Sequence, residues 1–209
     1  ESVSTMRWPE YDETALEKVM AFNEDYKDYI SHAKTERLAV SEAVKLAEAK
    51  GFKNICEYES LKPGDKVYFV NYKKNLMCYV IGKNPVEDGL RVLGAHIDSP
   101  RMDVKQNPLY EDTDFAYLDT HYYGGIKKYQ WVTLPLAIHG VIAKKDGTVV
   151  DVVIGEDDKD PVFCVTDLLI HLAGEQMEKK ANKVVEGEQL DILVGSRPLA
   201  GEEKDAVKE

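Results

Sequence analysis

The sequence has 209 residues, 44% of them hydrophobic and 31% charged, with a formal net charge of -11. That length holds one large domain or two small ones, and that apolar content buries a core without a disulfide scaffold. The acidic balance argues against nucleic acid and anionic lipid surfaces as partners, because both need clustered positive charge. Cys56, Cys78 and Cys164 are widely spaced and contain no Cys-x-x-Cys. They read as buried free thiols of a reducing compartment. No apolar run approaches the roughly 20 residues of a membrane span, and no charged-then-apolar leader opens the chain. The expectation is a cytoplasmic protein with no membrane partner.

In chain order, residues 12–32 predict an amphipathic helix, with Leu16, Val19, Phe22, Tyr26, Tyr29 and Ile30 at helical spacing. Thr35 reads as the N-cap of a second helix over 36–50, whose apolar positions include Leu38, Val40, Val44 and Leu46. Gly51 stands where a glycine just past a helix end belongs. Both helices are expected to cover a core. Residues 67–70 and 76–81 read as the strands of a hairpin closed by 71–75. Residues 82–89 form a polar loop, and the apolar run 90–95 predicts a buried strand. Helices followed by a buried strand suggest an α/β layer architecture.

Beyond Pro100 the chain reads as β-rich. Residues 131–134, 137–142 and 149–154 are its clearest strand candidates, and Asp146-Gly147 suits the positive φ angles of a tight hairpin turn. A helix is predicted over 166–179, with Leu168, Leu169, Leu172 and Met177 as apolar positions. The charge cluster 156–160 reads as a solvated loop. The charged end, 202–209, reads as helix-like.

His96-Ile97-Asp98 follows the apolar run 90–95, and ligands bind at strand ends in α/β sheets. Residues i and i+2 of an extended segment point to one face, so His96 and Asp98 can project together. The imidazole could bind a metal, and the carboxylate could orient it. Alone, His-x-Asp is a weak signal, and a histidine near a strand end is more often structural. Small Gly94 and Ala95 leave room for close approach, and Ser99-Pro100 turns the chain away.

The segment Leu93-Gly94-Ala95-His96-Ile97-Asp98-Ser99-Pro100-Arg101-Met102-Asp103-Val104-Lys105 resembles the metal-binding segment of the aspartyl aminopeptidase family, a group of two-zinc exopeptidases. Residues 66–82 resemble the hairpin before it. Tyr122-Tyr123-Gly124-Gly125 and residues 163–173 resemble parts of that family's inserted domain. The likeness runs in order over most of the chain and is closer to the bacterial branch.

The resemblance implies an α/β, zinc-exopeptidase-like catalytic domain whose first part is 1–103. An inserted β-rich dimerisation domain would interrupt it over 104–209 and be incomplete here. It implies zinc as cofactor, peptides as substrates, release of N-terminal residues by two-metal-assisted hydrolysis, and homo-oligomers built from dimers. His96 would be a ligand to one zinc and Asp98 its supporting carboxylate in the catalytic centre. His171 resembles a histidine presented to a partner subunit's active site, near the substrate; a plain helix-surface or interface histidine is its alternative. His121 and His139 read as structural, and His32 as a helix-end residue. Tyr117, Tyr122, Tyr123, Tyr129 and Trp131 are candidates for an interface or a core.

The family's remaining ligands are a bridging Asp, a Glu-Glu pair, a further acidic ligand and a final His, and none is recognisable here. Glu202-Glu203 lies in the charged tail and reads as a solvated helix face. One histidine and one supporting carboxylate cannot hold two zinc ions, so the 209 residues alone are expected to be inactive. A non-catalytic assembly or binding module on the same scaffold, and a different two-metal hydrolase such as a deacylase, are the competing readings.

Overall fold

The computed structural model describes residues 8–201 and Val207. The charged end 202–209, apart from Val207, and with it the Glu202-Glu203 pair, lies outside the described residues. The chain packs as two compact units, Glu1–Asp98 and Ser99–Glu209.

The first unit opens with α1, Glu13–His32, whose N-cap Asp12 accepts the Ala15 N–H at 2.8 Å. Helix α2, Glu36–Ala49, is capped by Thr35, whose hydroxyl accepts the Leu38 N–H at 3.3 Å. Side-chain caps of this kind satisfy amide groups that the helix itself leaves unpaired. At the far end the Gly51 N–H bonds the Glu48 carbonyl and the Phe52 N–H bonds the Ala47 carbonyl. That is the two-bond helix stop in which the residue past the cap is left-handed, and Gly51 has φ 81°. The predicted boundaries of both helices therefore rest on identifiable caps.

Three short strands follow, β1 (Lys53–Asn54), β2 (Lys66–Asn71) and β3 (Asn75–Val80), in sheet order β1-β2-β3. β1 runs parallel to β2, and β2 pairs antiparallel with β3 from Lys66↔Val80 to Asn71↔Asn75. The hairpin turn places Tyr72 and Lys73 at φ 48° and 58°, a left-handed pair formed without glycine or asparagine. The sheet lies on α2. Val67 and Tyr68 are buried with Ala39 and Val40, and the Tyr68 hydroxyl donates to Glu48 Oε1 at 2.7 Å.

Two expectations fail in this unit. Helix α1 has no buried residue. Phe22 is 74% exposed, and of the two helices only α2 has buried residues among those described, Ala39 and Val40. Residues 90–95 form neither strand nor helix and are exposed; Leu93 is 101% exposed. A strand exists only against a neighbour that takes its backbone hydrogen bonds, and no described strand pairs with this run.

In the second unit, β4 (Arg101–Asp112) and β5 (Phe115–Tyr123) form a long antiparallel pair with a register shift between Val104 and Leu109. Next come the hairpin β6 (Ile138–Ala143) and β7 (Val149–Ile154), then β8 (Cys164–Val165) and β9 (Ile192–Gly195). The main sheet has the order β4-β5-β9-β8, with β6-β7 as a separate two-stranded sheet. Gly147 takes φ 87° in the β6–β7 turn, as its Asp-Gly sequence predicts, and Asp146 Oδ1 accepts the Thr148 N–H at 2.9 Å. The core is Phe163, Val165, Val185, Leu190 and Ile192, with Met102, Leu118 and Trp131 packed against it. Arg101–Asp103, which the sequence grouped with the first segment, belong to this sheet.

The expected helix over 166–179 is replaced by a 3-10 turn, Ile170–Leu172, and one α-turn, α3 (Gly174–Met177). Leu168, Leu169, Leu172 and Met177 are exposed, so no packing supports the helix, and short helices need packing. Asp167 meanwhile accepts the Leu168 N–H and the Gln176 amide locally, a competing arrangement. Residues 131–134 contribute one isolated bridge, Val132↔Val165. Cys56 and Cys78 are exposed and Cys164 is half-buried, which corrects the expectation of buried thiols. The cluster 156–160 is largely exposed, as expected, yet ordered: Asp160 Oδ2 accepts the Gly155 N–H at 2.8 Å and the Asp157 N–H at 3.3 Å.

Candidate metal site

His96 and Asp98 come together at the end of the first unit. The His96 ring is 84% exposed, and its Nδ1 lies 2.9 Å from the Asp98 main-chain carbonyl and 3.3 Å from Asp98 Oδ1. An N–H on Nδ1 donating to that carbonyl leaves the Nε2 lone pair for a ligand. Fixing one ring nitrogen this way selects the tautomer that binds metal through the other. The i, i+2 spacing accomplishes this without a strand, because the Asp98 carbonyl lies within reach of the ring.

A cavity of about 370 Å³ adjoins these residues. Helix α2 lines it through Glu36 and Ala39, the β2–β3 hairpin through Lys74 in its turn and Asn75 at the start of β3, and the 95–98 segment through His96 and Asp98. Glu36 and Lys74 were not legible as site residues in the sequence. A glutamate in a helix's first turn and a lysine in a hairpin loop are common surface features, and only the fold brings them beside His96.

His171 belongs to the second unit, where it lies exposed on the Ile170–Leu172 turn. His121 faces Asp103 across β4–β5. His139 is tied to Glu156, Nε2 to Oε1 at 2.7 Å, and its side chain is only 13% exposed. His32 closes α1 with Nδ1 2.8 Å from the Asp28 carbonyl. Tyr122, Tyr123 and Tyr129 are partly exposed, whereas Tyr117 stacks on Tyr110 at 5.4 Å.

Tested against a zinc ion, His96 fits as a single ligand, with one nitrogen held and the other open. Among the described residues, no group of three or more His, Cys, Asp or Glu is placed to hold a metal, and a catalytic zinc takes about three protein ligands.

Residues 29–209 match the family described as aminopeptidase I zinc metalloprotease (M18), and the chain belongs to that family. A relative in Clostridium acetobutylicum, named "Probable M18 family aminopeptidase 1", is 62% identical over 206 residues, covering 96% of this chain and 44% of that protein. The crystal structure of an M18 family aminopeptidase from Thermotoga maritima superposes with TM-score 0.90 at 41% identity, covering 100% of this chain and 45% of that one. A dodecamer from S. cerevesiae shares the fold at 23% identity and TM-score 0.60, covering 82% of this chain and 37% of that one. The 209 residues thus span somewhat less than half the length of these relatives.

Proposed function

We propose that this chain supplies one zinc ligand and its support to an aminopeptidase that removes N-terminal residues from peptides. The observation that carries the reading is the His96–Asp98 geometry, an exposed imidazole held at Nδ1 beside a cavity in a chain of a zinc metalloprotease family. Bound zinc, one ion or a pair, would polarise the scissile carbonyl and acidify water. The chain's own contribution is positional. His96 offers Nε2, the Asp98 carbonyl fixes the ring, and Asp98's carboxylate adds negative charge beside it. Among the described residues no group of three or more His, Cys, Asp or Glu is placed to hold a metal, and on this reading the 209 residues alone do not hydrolyse peptides.

On this reading, the unit Glu1–Asp98 is the first part of the catalytic domain, and Ser99–Glu209 is most of an inserted dimerisation domain. The β4-β5-β9-β8 sheet and its separate core support a second folding unit there. A homo-oligomer built from dimers follows; a solved structure that shares the fold is a dodecamer. The exposed His171 would then serve a partner subunit's substrate site. The reading places the protein in the cytoplasm; among the described residues, no helix is long and apolar enough to cross a membrane.

The test is zinc binding and turnover of an aminoacyl chromogenic amide, compared with an N-acetylated analogue, by the chain joined to the complementary part of its Clostridium relative. Two zinc ions per chain and release from the free-amine substrate support the reading. Turnover of only the acylated substrate would indicate a deacylase. Zinc-free inert protein would indicate an assembly module.

A further inference from the structure

The cavity beside His96 has an apolar floor, made by Ala39 and Val40 of α2, both buried, and Leu76 of β3. Glu36, Asp98 and Lys74 also line it, and Lys74 is the one lysine or arginine among the lining residues. Among the described residues the Lys74 ammonium has no hydrogen-bond or ion-pair partner, whereas Lys27 and Lys45 of the same unit are held by Glu24 and Glu42. The Lys74 backbone, by contrast, is fixed. Its N–H donates to the Asn71 carbonyl at 3.0 Å, and Asn75 pairs with Asn71. The turn before it holds Tyr72 and Lys73 at φ 48° and 58°. Tyr72 is 87% exposed, so packing does not account for that strained conformation, and strain of this kind gathers at ligand sites.

We propose that Lys74 is a specificity-determining residue that binds the terminal carboxylate of a short peptide substrate. The inference rests on the aminopeptidase reading for the identity of its ligand. A short peptide carries an ammonium at one end and a carboxylate at the other. The carboxylates of Glu36 and Asp98 attract the ammonium and repel the carboxylate, and Lys74 does the reverse, so the charges lining the cavity match such a zwitterion. A lysine ammonium makes charge-assisted hydrogen bonds to a carboxylate, which a capped terminus or a longer chain does not offer in the same place. The cavity, about 370 Å³, lies at the small end of ligand pockets and has room for few residues. Its apolar floor suits an aliphatic side chain. The formal net charge of -11 repels anions at a distance, so selection for a carboxylate has to come from a cation at the site itself.

Steady-state kinetics of the chain joined to the complementary part of its Clostridium relative test this, with leucyl-alanine and its C-terminal amide as substrates. The acid should have the lower KM. The ratio of the amide's KM to the acid's should fall about fivefold in Lys74→Ala and be kept in Lys74→Arg, with kcat for the acid changed less than KM. An unchanged ratio overturns the proposal. So does a loss equal for acid and amide, which would mark a structural role. A loss confined to aspartyl-alanine amide would put a side-chain carboxylate on Lys74 and overturns it too. A second measurement needs no turnover. In the 209-residue chain, leucyl-alanine at millimolar concentration should shift the NMR amide resonances of Lys74 and Asn75, and its C-terminal amide should not. Equal shifts with both, or none with either, overturn the assignment. An inert, zinc-free joined protein removes the aminopeptidase reading, and the resonance shifts then decide Lys74 by themselves. An active protein whose KM ratio ignores Lys74 removes this inference and leaves that reading standing.

Discussion

The Tyr110 hydroxyl donates to Asp191 Oδ2 at 2.7 Å, joining β4 to the residue before β9 across the intervening β5. Asp191 Oδ1 also receives the Thr120 N–H at 3.3 Å, so one carboxylate ties the sheet together. Burial, followed by the hydrogen bond and charge of Asp191, raises the Tyr110 hydroxyl above its ordinary pKa of 10.0. Tyr110→Phe should cost about 1–2 kcal/mol in urea unfolding at neutral pH. The pH dependence has a definite sign. With the folded pKa raised, this contribution is fully present below the unfolded pKa and is lost as pH rises toward the folded value. Wild type should therefore lose urea resistance as pH rises above about 10, and Tyr110→Phe should lose less over the same range. Equal losses would show that Tyr110 does not carry the effect.

Thr120 is fully buried, and its hydroxyl donates to the Leu190 carbonyl. Leu190 is itself a fully buried member of the core. Thr120→Val keeps the shape and strands that carbonyl, at a cost of about 1–3 kcal/mol. Thr120→Ser restores the hydrogen bond and loses one methyl. Thermal unfolding of the pair separates the polar contribution from the packing, and the valine variant should be the less stable if the hydrogen bond dominates.

Asp160 organises the acidic loop by accepting two backbone N–H groups, and those bonds, Gly155 first, lower its pKa. Asp160→Ala should speed hydrogen exchange at Gly155 and Asp157 at least tenfold while leaving the β4–β5 amides unchanged. Because the folded pKa is depressed, the loop's protection should also fade as pH drops through that value. Protection unchanged in the variant would mean that backbone geometry alone holds the loop.

His96 is largely exposed and makes only local contacts, so His96→Ala should change unfolding free energy by less than about 0.5 kcal/mol. In the joined protein of the proposed function, the same change should lower zinc content and abolish turnover. A large loss of stability in the 209-residue chain would instead identify His96 as a structural residue.

Local signals in the sequence located the first two helices well. Asp12 and Thr35 are caps whose side chains bond the first turn wherever the chain goes next, and Gly51 is a stop that few other residues can supply. The Asp146-Gly147 turn is equally local. The site was legible only in part. His96 and Asp98 are two residues apart, so their contact follows from chain geometry, whereas Glu36 and Lys74 join them only after α2 and the hairpin have folded.

Local chemistry alone therefore settled whatever lies within a few residues: caps, turns, hairpin register and the His96–Asp98 pair. Tertiary structure decided whether apolar runs became elements. Residues 90–95 have the composition of a buried strand and 166–179 that of an amphipathic helix, yet neither forms as predicted. A strand needs a neighbour for its hydrogen bonds, and a short helix needs a surface on which to bury its apolar face. β5 has both, flanked by β4 and β9, and it is there that Thr120 and Ala116 are buried.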